Sequence, residues 1–330
     1  MSFSHRSIVS SGHRIHCVEV EEADPDARPV VFVHGFPESW YSWRHQLPVV
    51  AEAGFRPIAI DVRGYGHSDA PAEIEAYAMT ALVGDVVAVI DDAIESSAAG
   101  AGSAIVVGHD WGAPIAWNTA LLRPDLVSAV AGLSVPYNPR GDKKPLDTFR
   151  AFSGENLFYI DYFQEPGVVE AEVEVDLSSW IRGFYFTASA EADPSQPSMG
   201  FVPPGQQLRD RLQQPTEGQM AWLPEQDFQF YLSEFERTGL TGGFNRYRNI
   251  TRDWYELAPW RFAPIVVPSL FIGGDKDGPT ILGQGAIDRF DVNLPRLVRS
   301  EILTDCGHWV QQEKPDEVNE ILLEFLTGVG

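Results

Sequence analysis

Ala104-Ile105-Val106-Val107-Gly108-His109-Asp110-Trp111-Gly112-Ala113-Pro114-Ile115-Ala116 is an apolar run, a turn bracketed by two glycines and the start of a helical pattern. It reads as a buried strand driven into a sharp elbow and out into a helix. Glycines flank such an elbow because its peak residue takes a strained backbone conformation and side chains on either side would collide with neighbouring elements. In the G-x-S-x-G form of this turn the peak is a nucleophilic serine. Here it is Asp110, and the replacement carries information about the substrate. A serine attacking a saturated carbon gives an ether, which water cannot open; a carboxylate gives an ester, which water can. A carboxylate is also ionised near neutral pH, so its attack needs no base. The elbow therefore points to opening an epoxide or displacing a halide. Capping of the following helix is the competing reading, since Asp is a favoured N-cap.

The chain has 330 residues, 44% of them hydrophobic and 12% aromatic, enough for a sizeable core. A formal charge of −23 argues against nucleic acid or an anionic membrane as partner. It leaves a neutral small molecule open. No apolar run is long enough to span a bilayer, and the first residues lack the apolar segment of a secretory signal, so a cytoplasmic location is expected. Cys17 and Cys306 are expected as free thiols. No Cys/His cluster has metal spacing, and neither cofactor nor metal is expected.

Outward from the elbow, strands are predicted at 4–10 and 14–20 around a turn at Ser11-Gly12-His13, then at Pro29–Val33 and Pro57–Val62. A helical face carries Trp40, Trp43, Leu47 and Val50, and another helix spans 77–94. A small-residue loop at 96–102 leads into the elbow strand, and a further strand covers Val127–Ser134. This alternation implies an α/β fold with a mostly parallel sheet covered by helices. The alternation stops at residue 135. Residues 135–257 are aromatic-rich and helical in pattern, clearest at 156–163, 176–186 and 224–237, and read as an inserted helical lid. Within it, 187–206 is a long Ser/Pro/Ala/Gly-rich loop, either a lid flap or a tolerated insertion. Strand signals return at 266–272 and 297–303, and a closing helix spans 315–326. Residues 1–134 and 258–330 thus form two segments of one core.

An ester on Asp110 requires a base to activate water and an acid to hold that base. Asp275 and Asp277 end one late strand, and His308 ends the next. Nucleophile, acid, histidine is the chain order of triads in this kind of fold. Spacing alone does not separate Asp275 from Asp277. Charge developing on the ester carbonyl needs donors, and the backbone N–H groups of Trp111 and of Phe36, in His34-Gly35-Phe36-Pro37, are suited to supply them. Pro37 could fix that loop through a cis bond.

With these residues assembled, the chain resembles the epoxide hydrolases of the α/β-hydrolase fold. HGFPESW at 34–40, GHDWGAP at 108–114 and DCGHW at 305–309 are similar to that family's oxyanion, nucleophile and histidine motifs. The segments 158–167 and 244–249 resemble those carrying its two lid tyrosines, which fall at Tyr159 and Tyr247. Tyr162 is the obvious mistaken identity. The resemblance implies Asp277 rather than Asp275 as the acid partner, and tyrosine hydroxyls that bind the epoxide oxygen as the ring opens. It implies an apolar epoxide and water as partners. Haloalkane dehalogenases share the aspartate elbow and the tryptophan after it, but halide departure favours an asparagine where this chain has Phe36. A non-catalytic receptor on the same fold is a reading from another class, opposed by the complete triad. An exposed apolar lid face would support a homodimer.

Overall fold

The computed structural model describes residues 1–98 and 102–329; residues 99–101 of the loop expected at 96–102 lie outside them. Six strands form the first part of the sheet: β1 (Phe3–Ser10), β2 (His13–Val20), β3 (Pro29–Val33), β4 (Arg56–Ile60), β5 (Ala104–His109) and β6 (Val127–Leu133). A two-residue hairpin follows, β7 (Leu157–Phe158) with β8 (Phe201–Val202), and then β9 (Ser269–Gly274) and β10 (Leu297–Leu303). Eight strands pair in the order β1-β2-β4-β3-β5-β6-β9-β10. The β1/β2 and β2/β4 pairs are antiparallel, and every other pair is parallel. The chain is therefore an α/β-hydrolase-type sheet with an antiparallel edge.

Residues of β3, β5 and β9 are buried throughout, as expected for strands covered on both faces. Alternate residues serve opposite cores: Val31 and Val33 join Val106 on one face, while Phe32 joins Ile105 and Val107 on the other. Helices α1 (Gln46–Glu52), α2 (Met79–Ser96) and α3 (Gly112–Leu122) alternate with these strands, and Pro315–Gly328 closes the chain. No helix among the described residues is long and apolar enough to cross a membrane. Both cysteines are buried and free.

Between β6 and β9 lie the longer helices α7 (Leu177–Ala188) and α8 (Glu225–Thr238), preceded by the shorter α4 (Pro145–Ser153), α5 (Tyr159–Tyr162) and α6 (Val168–Val173). They are followed by α9 (Thr241–Arg248) and α10 (Ile250–Glu256). The expected helix at 156–163 is shorter than its pattern. Leu157 and Phe158 are extended because Val202 and Phe201 pair with them, and the helix starts at Tyr159. The long loop at 187–206 contains that partner strand. The strand expected at 266–272 instead runs 269–274, following Pro268, which has no N–H to give to a ladder.

Buried Glu172 organises this insertion and has no cationic partner among the described residues. Its carboxylate accepts from the Tyr162 hydroxyl and Trp180 Nε1 at 2.8 Å, and from the backbone N–H groups of Leu208 (3.0 Å) and Arg209 (2.7 Å). Four donors replace the water that burial removed.

Candidate active site

Asp110 sits at the tip of the β5–α3 elbow with φ +48°, in the left-handed region. A side chain at Gly108 would run into the Gly112 carbonyl, and one at Gly112 into the Val33 carbonyl. The elbow thus closes only with glycine at both places. Gly35 has the same constraint, because its missing side chain leaves the room that Asp110 occupies. The Phe36–Pro37 bond is cis, as anticipated.

The turn delivers the carboxylate to a defined setting. Phe36 N–H donates to Asp110 Oδ1 at 2.7 Å, while Oδ2 faces His308 Nε2 at 3.3 Å. His308 Nδ1 bonds Asp277 Oδ1 at 2.8 Å. Asp277 is fully buried, and its other oxygen accepts from Thr280 Oγ1 (2.6 Å) and Thr280 N–H (3.0 Å). Asp275 turns elsewhere and accepts from Cys306 N–H at 3.2 Å. Of the two candidate acids, Asp277 is the one on the histidine. Trp111 is the N-cap of α3, next to Asp110, and among the described residues only Phe36 is found donating a backbone bond to the Asp110 carboxylate.

Electrostatics follow from this enclosure. Burial works against charge on Asp110, yet the hydrogen bond and positive charge of His308 hold its carboxyl below the usual value. Burial likewise works against an imidazolium at His308. The charge of Asp277 and the bonds from both carboxylates overcome it and raise His308 well above an ordinary histidine.

Tyr159 and Tyr247 come from separate helices and meet over the site, their ring centroids 6.1 Å apart. Tyr247 packs edge-on against the Trp111 indole at 5.1 Å. Burial, and then the negative charge of Asp110, raise both phenols above the ordinary value, so both keep their protons at neutral pH. Tyr162 bonds Glu172 instead and belongs to the framework between β6 and β9. Around Phe36 the rings of Phe163, Trp180, Phe184, Phe244 and Tyr247 lie within 6.5 Å between centroids, an aromatic cluster around the residue that bonds Asp110.

The family model described as alpha/beta hydrolase fold matches residues 28–315. Epoxide hydrolase A of Mycobacterium tuberculosis is 43% identical over 324 residues, covering 98% of this chain and 97% of that protein. Epoxide hydrolase B of the same organism is 40% identical over 361 residues, covering 100% and 99%. The chain belongs to the epoxide hydrolases of the α/β-hydrolase fold. A solved epoxide hydrolase from an endophytic Streptomyces superposes with a TM-score of 0.92 at 51% identity, covering 99% of this chain and 96% of that one.

This epoxide hydrolase also holds site residues that sequence reading passed over. Fully buried Glu38 and His109 form a pair at 2.8 Å beneath the triad. Glu38 also accepts from Gly35 N–H (3.1 Å) and from the side-chain amides of Gln311 and Gln312 (both 3.0 Å). The other His109 nitrogen reaches the His308 carbonyl at 2.8 Å, as does Ser134 Oγ at 2.7 Å. One network therefore joins the Phe36 loop, the elbow and the histidine loop. Both residues lie inside motifs read for other members, so position was the available signal. The third unread residue is Arg246, beside Tyr247.

Proposed function

We propose that this epoxide hydrolase converts an apolar epoxide to a vicinal diol through a covalent ester on Asp110. The observation that carries the reading is a buried carboxylate whose two oxygens face different partners, Phe36 N–H and His308. Oδ2 attacks a ring carbon and the carbon–oxygen bond of the ring breaks. The hydroxyls of Tyr159 and Tyr247 donate to the departing oxygen; one gives it a proton, forming the first alcohol, and the resulting tyrosinate regains a proton from the one that His308 releases as Asp110 is esterified. Oδ1 becomes the ester carbonyl and stays at the Phe36 donor, with Trp111 N–H as the second donor once charge develops.

Esterification removes the charge of Asp110 and leaves His308 with one carboxylate instead of two. Its proton affinity falls, and the imidazole becomes the base that takes a proton from water while Asp277 orients it. Hydroxide adds to the ester carbonyl, the intermediate collapses, the second alcohol leaves with the proton from His308, and the acid proton left on Asp110 passes to His308, which restores the carboxylate and the imidazolium. The oxygen of water enters Asp110 first, not the diol. Residues 135–257 serve as the lid that brings the two tyrosines over the nucleophile. The aromatic cluster around Phe36 suits an apolar substrate.

The test is a single turnover in ¹⁸O-water followed by mass analysis of the peptide carrying Asp110, together with product analysis on apolar epoxides and haloalkanes. We expect heavy oxygen in the peptide, diol without halide, and substrate trapped on Asp110 in His308→Gln. Label in the diol alone, with no adduct in that variant, would mean direct attack by water. Halide release without diol would make the chain a dehalogenase.

A further inference from the structure

Arg246 is 3% exposed, and its charge is unusual so close to an apolar site. Its guanidinium carbon lies 4.6 Å from the centroid of the Trp111 indole. One terminal nitrogen reaches the Tyr77 carbonyl and the other the Asp253 carboxylate, while Nε is buried with no hydrogen-bond partner. Asp253 also accepts from Met79 N–H at 2.7 Å, at the start of α2. Arg246 therefore connects the α2 end of the core, the lid and the face of the residue that follows the nucleophile.

Trp111 also meets Tyr247, the neighbour of Arg246 on α9, their ring planes nearly perpendicular and their centroids 5.1 Å apart. The indole thus meets a flat cation and an edge-on phenol. Stacking on a half-buried indole holds a guanidinium in plane and supplies positive potential to its surroundings. We propose that Arg246 is a positioning residue for ring opening, holding the Trp111 indole and Tyr247 in register over Asp110 and favouring the negative charge that passes through the tyrosine pair. This rests on the ester reading above, in which ring opening and ester hydrolysis are separate steps. Only the first places charge at the tyrosines. Arg246 should therefore matter for alkylation and much less for hydrolysis.

The experiment measures rate constants for both steps by rapid mixing, in wild type, Arg246→Met and Arg246→Lys, with ester formation followed by mass. Rate constants per reacting site do not depend on the folded fraction, which separates the proposal from a loss of stability. We expect Arg246→Met to slow alkylation by about 10- to 100-fold, by analogy with removal of one preorganised electrostatic group. Hydrolysis of the ester, once formed, should stay within about threefold, an interval well below that electrostatic effect. Arg246→Lys keeps the charge without the flat face and should fall between, slowing alkylation about 3- to 10-fold.

Unchanged alkylation in either variant overturns the proposal, as does an equal loss in both steps that lysine does not relieve. Should Arg246→Met not fold, Arg246→Lys alone decides by the same split. If wild type forms no ester, the ester reading fails and this proposal with it. An ester formed by wild type at a rate that the substitutions do not change sinks this proposal alone.

Discussion

His308 lies between two carboxylates, and the consequence is a histidine whose charge depends on the chemical state of Asp110. Its raised proton affinity contributes stability fully below the unfolded histidine value of about 6.5, and that contribution is lost as pH rises through the higher folded value. Asp110 runs the other way: its depressed value contributes above about 3.9, and the contribution is lost as pH falls through the folded value. Asp110→Asn imitates the uncharged ester. In that variant we expect the His308 titration, followed by NMR of its imidazole, to fall by at least about one unit, the usual effect of removing one adjacent opposite charge. The pH at which the histidine contribution to stability fades should fall with it. An unmoved titration would show that Asp277 alone sets the charge of His308 and that esterification does not release a base. Asp110 and His308 were legible because each occupies a motif peak beyond a strand end, whereas only the family resemblance separated Asp277 from Asp275. Glu38, His109 and Arg246 were not: Glu38 and His109 bond across 71 positions, and nothing local marks that pairing.

Among the elements, α9 does the most with the fewest residues. Its first turn is Thr241-Gly242-Gly243, a poor helix former by propensity. The glycines are explained by what they touch. A side chain at Gly243 would lie 2.6 Å from the Phe36 ring and 2.7 Å from the Tyr65 hydroxyl. This close approach presses α9 onto the Phe36 loop and carries Arg246 and Tyr247 to the site. Gly243→Ala should therefore cost about 1–3 kcal/mol by overpacking. By displacing the Phe36 ring or the tyrosine it should also slow ester formation, by about tenfold or more, since displacements near 1 Å can cost about 100-fold. Denaturant unfolding and rapid-mixing kinetics check the two effects. A stability loss with full activity would mean that α9 only packs. The family resemblance marked Tyr247 but not the reason for its glycines, because the obstacle lies in a loop some 200 residues earlier. The same limit hid the β7–β8 pair: extended Leu157 and Phe158 answer to partners at 201 and 202, not to their own neighbours.

At the scale of the molecule, one continuous apolar cluster runs from sheet residues such as Ile58, Ile60 and Val106 to Phe163, Trp180, Phe184 and Phe228 of the insertion. Polar ties cross the same boundary. Asp227 accepts from Arg44 Nε at 2.9 Å and from the Tyr41 hydroxyl at 3.0 Å, and Glu313 accepts from Ala190 N–H at 2.9 Å and Gly307 N–H at 3.0 Å. An insertion joined this way shares its main apolar cluster with the sheet. Insertion and core should therefore unfold together, with calorimetric and van't Hoff enthalpies agreeing. Glu172 tests this, since it lies wholly within the insertion and serves four donors there. Glu172→Ala leaves those donors buried, at about 1–3 kcal/mol for each one that water does not reach. If the two parts are coupled, the substitution lowers one sharp transition by several degrees, at about 2 °C per kcal/mol for a large domain. Tyr159 and Tyr247 then stay over Asp110 until the sheet itself opens. If they are not coupled, an early second transition separates in the variant while the main one keeps its temperature. The lid would then be a body that melts off a standing core.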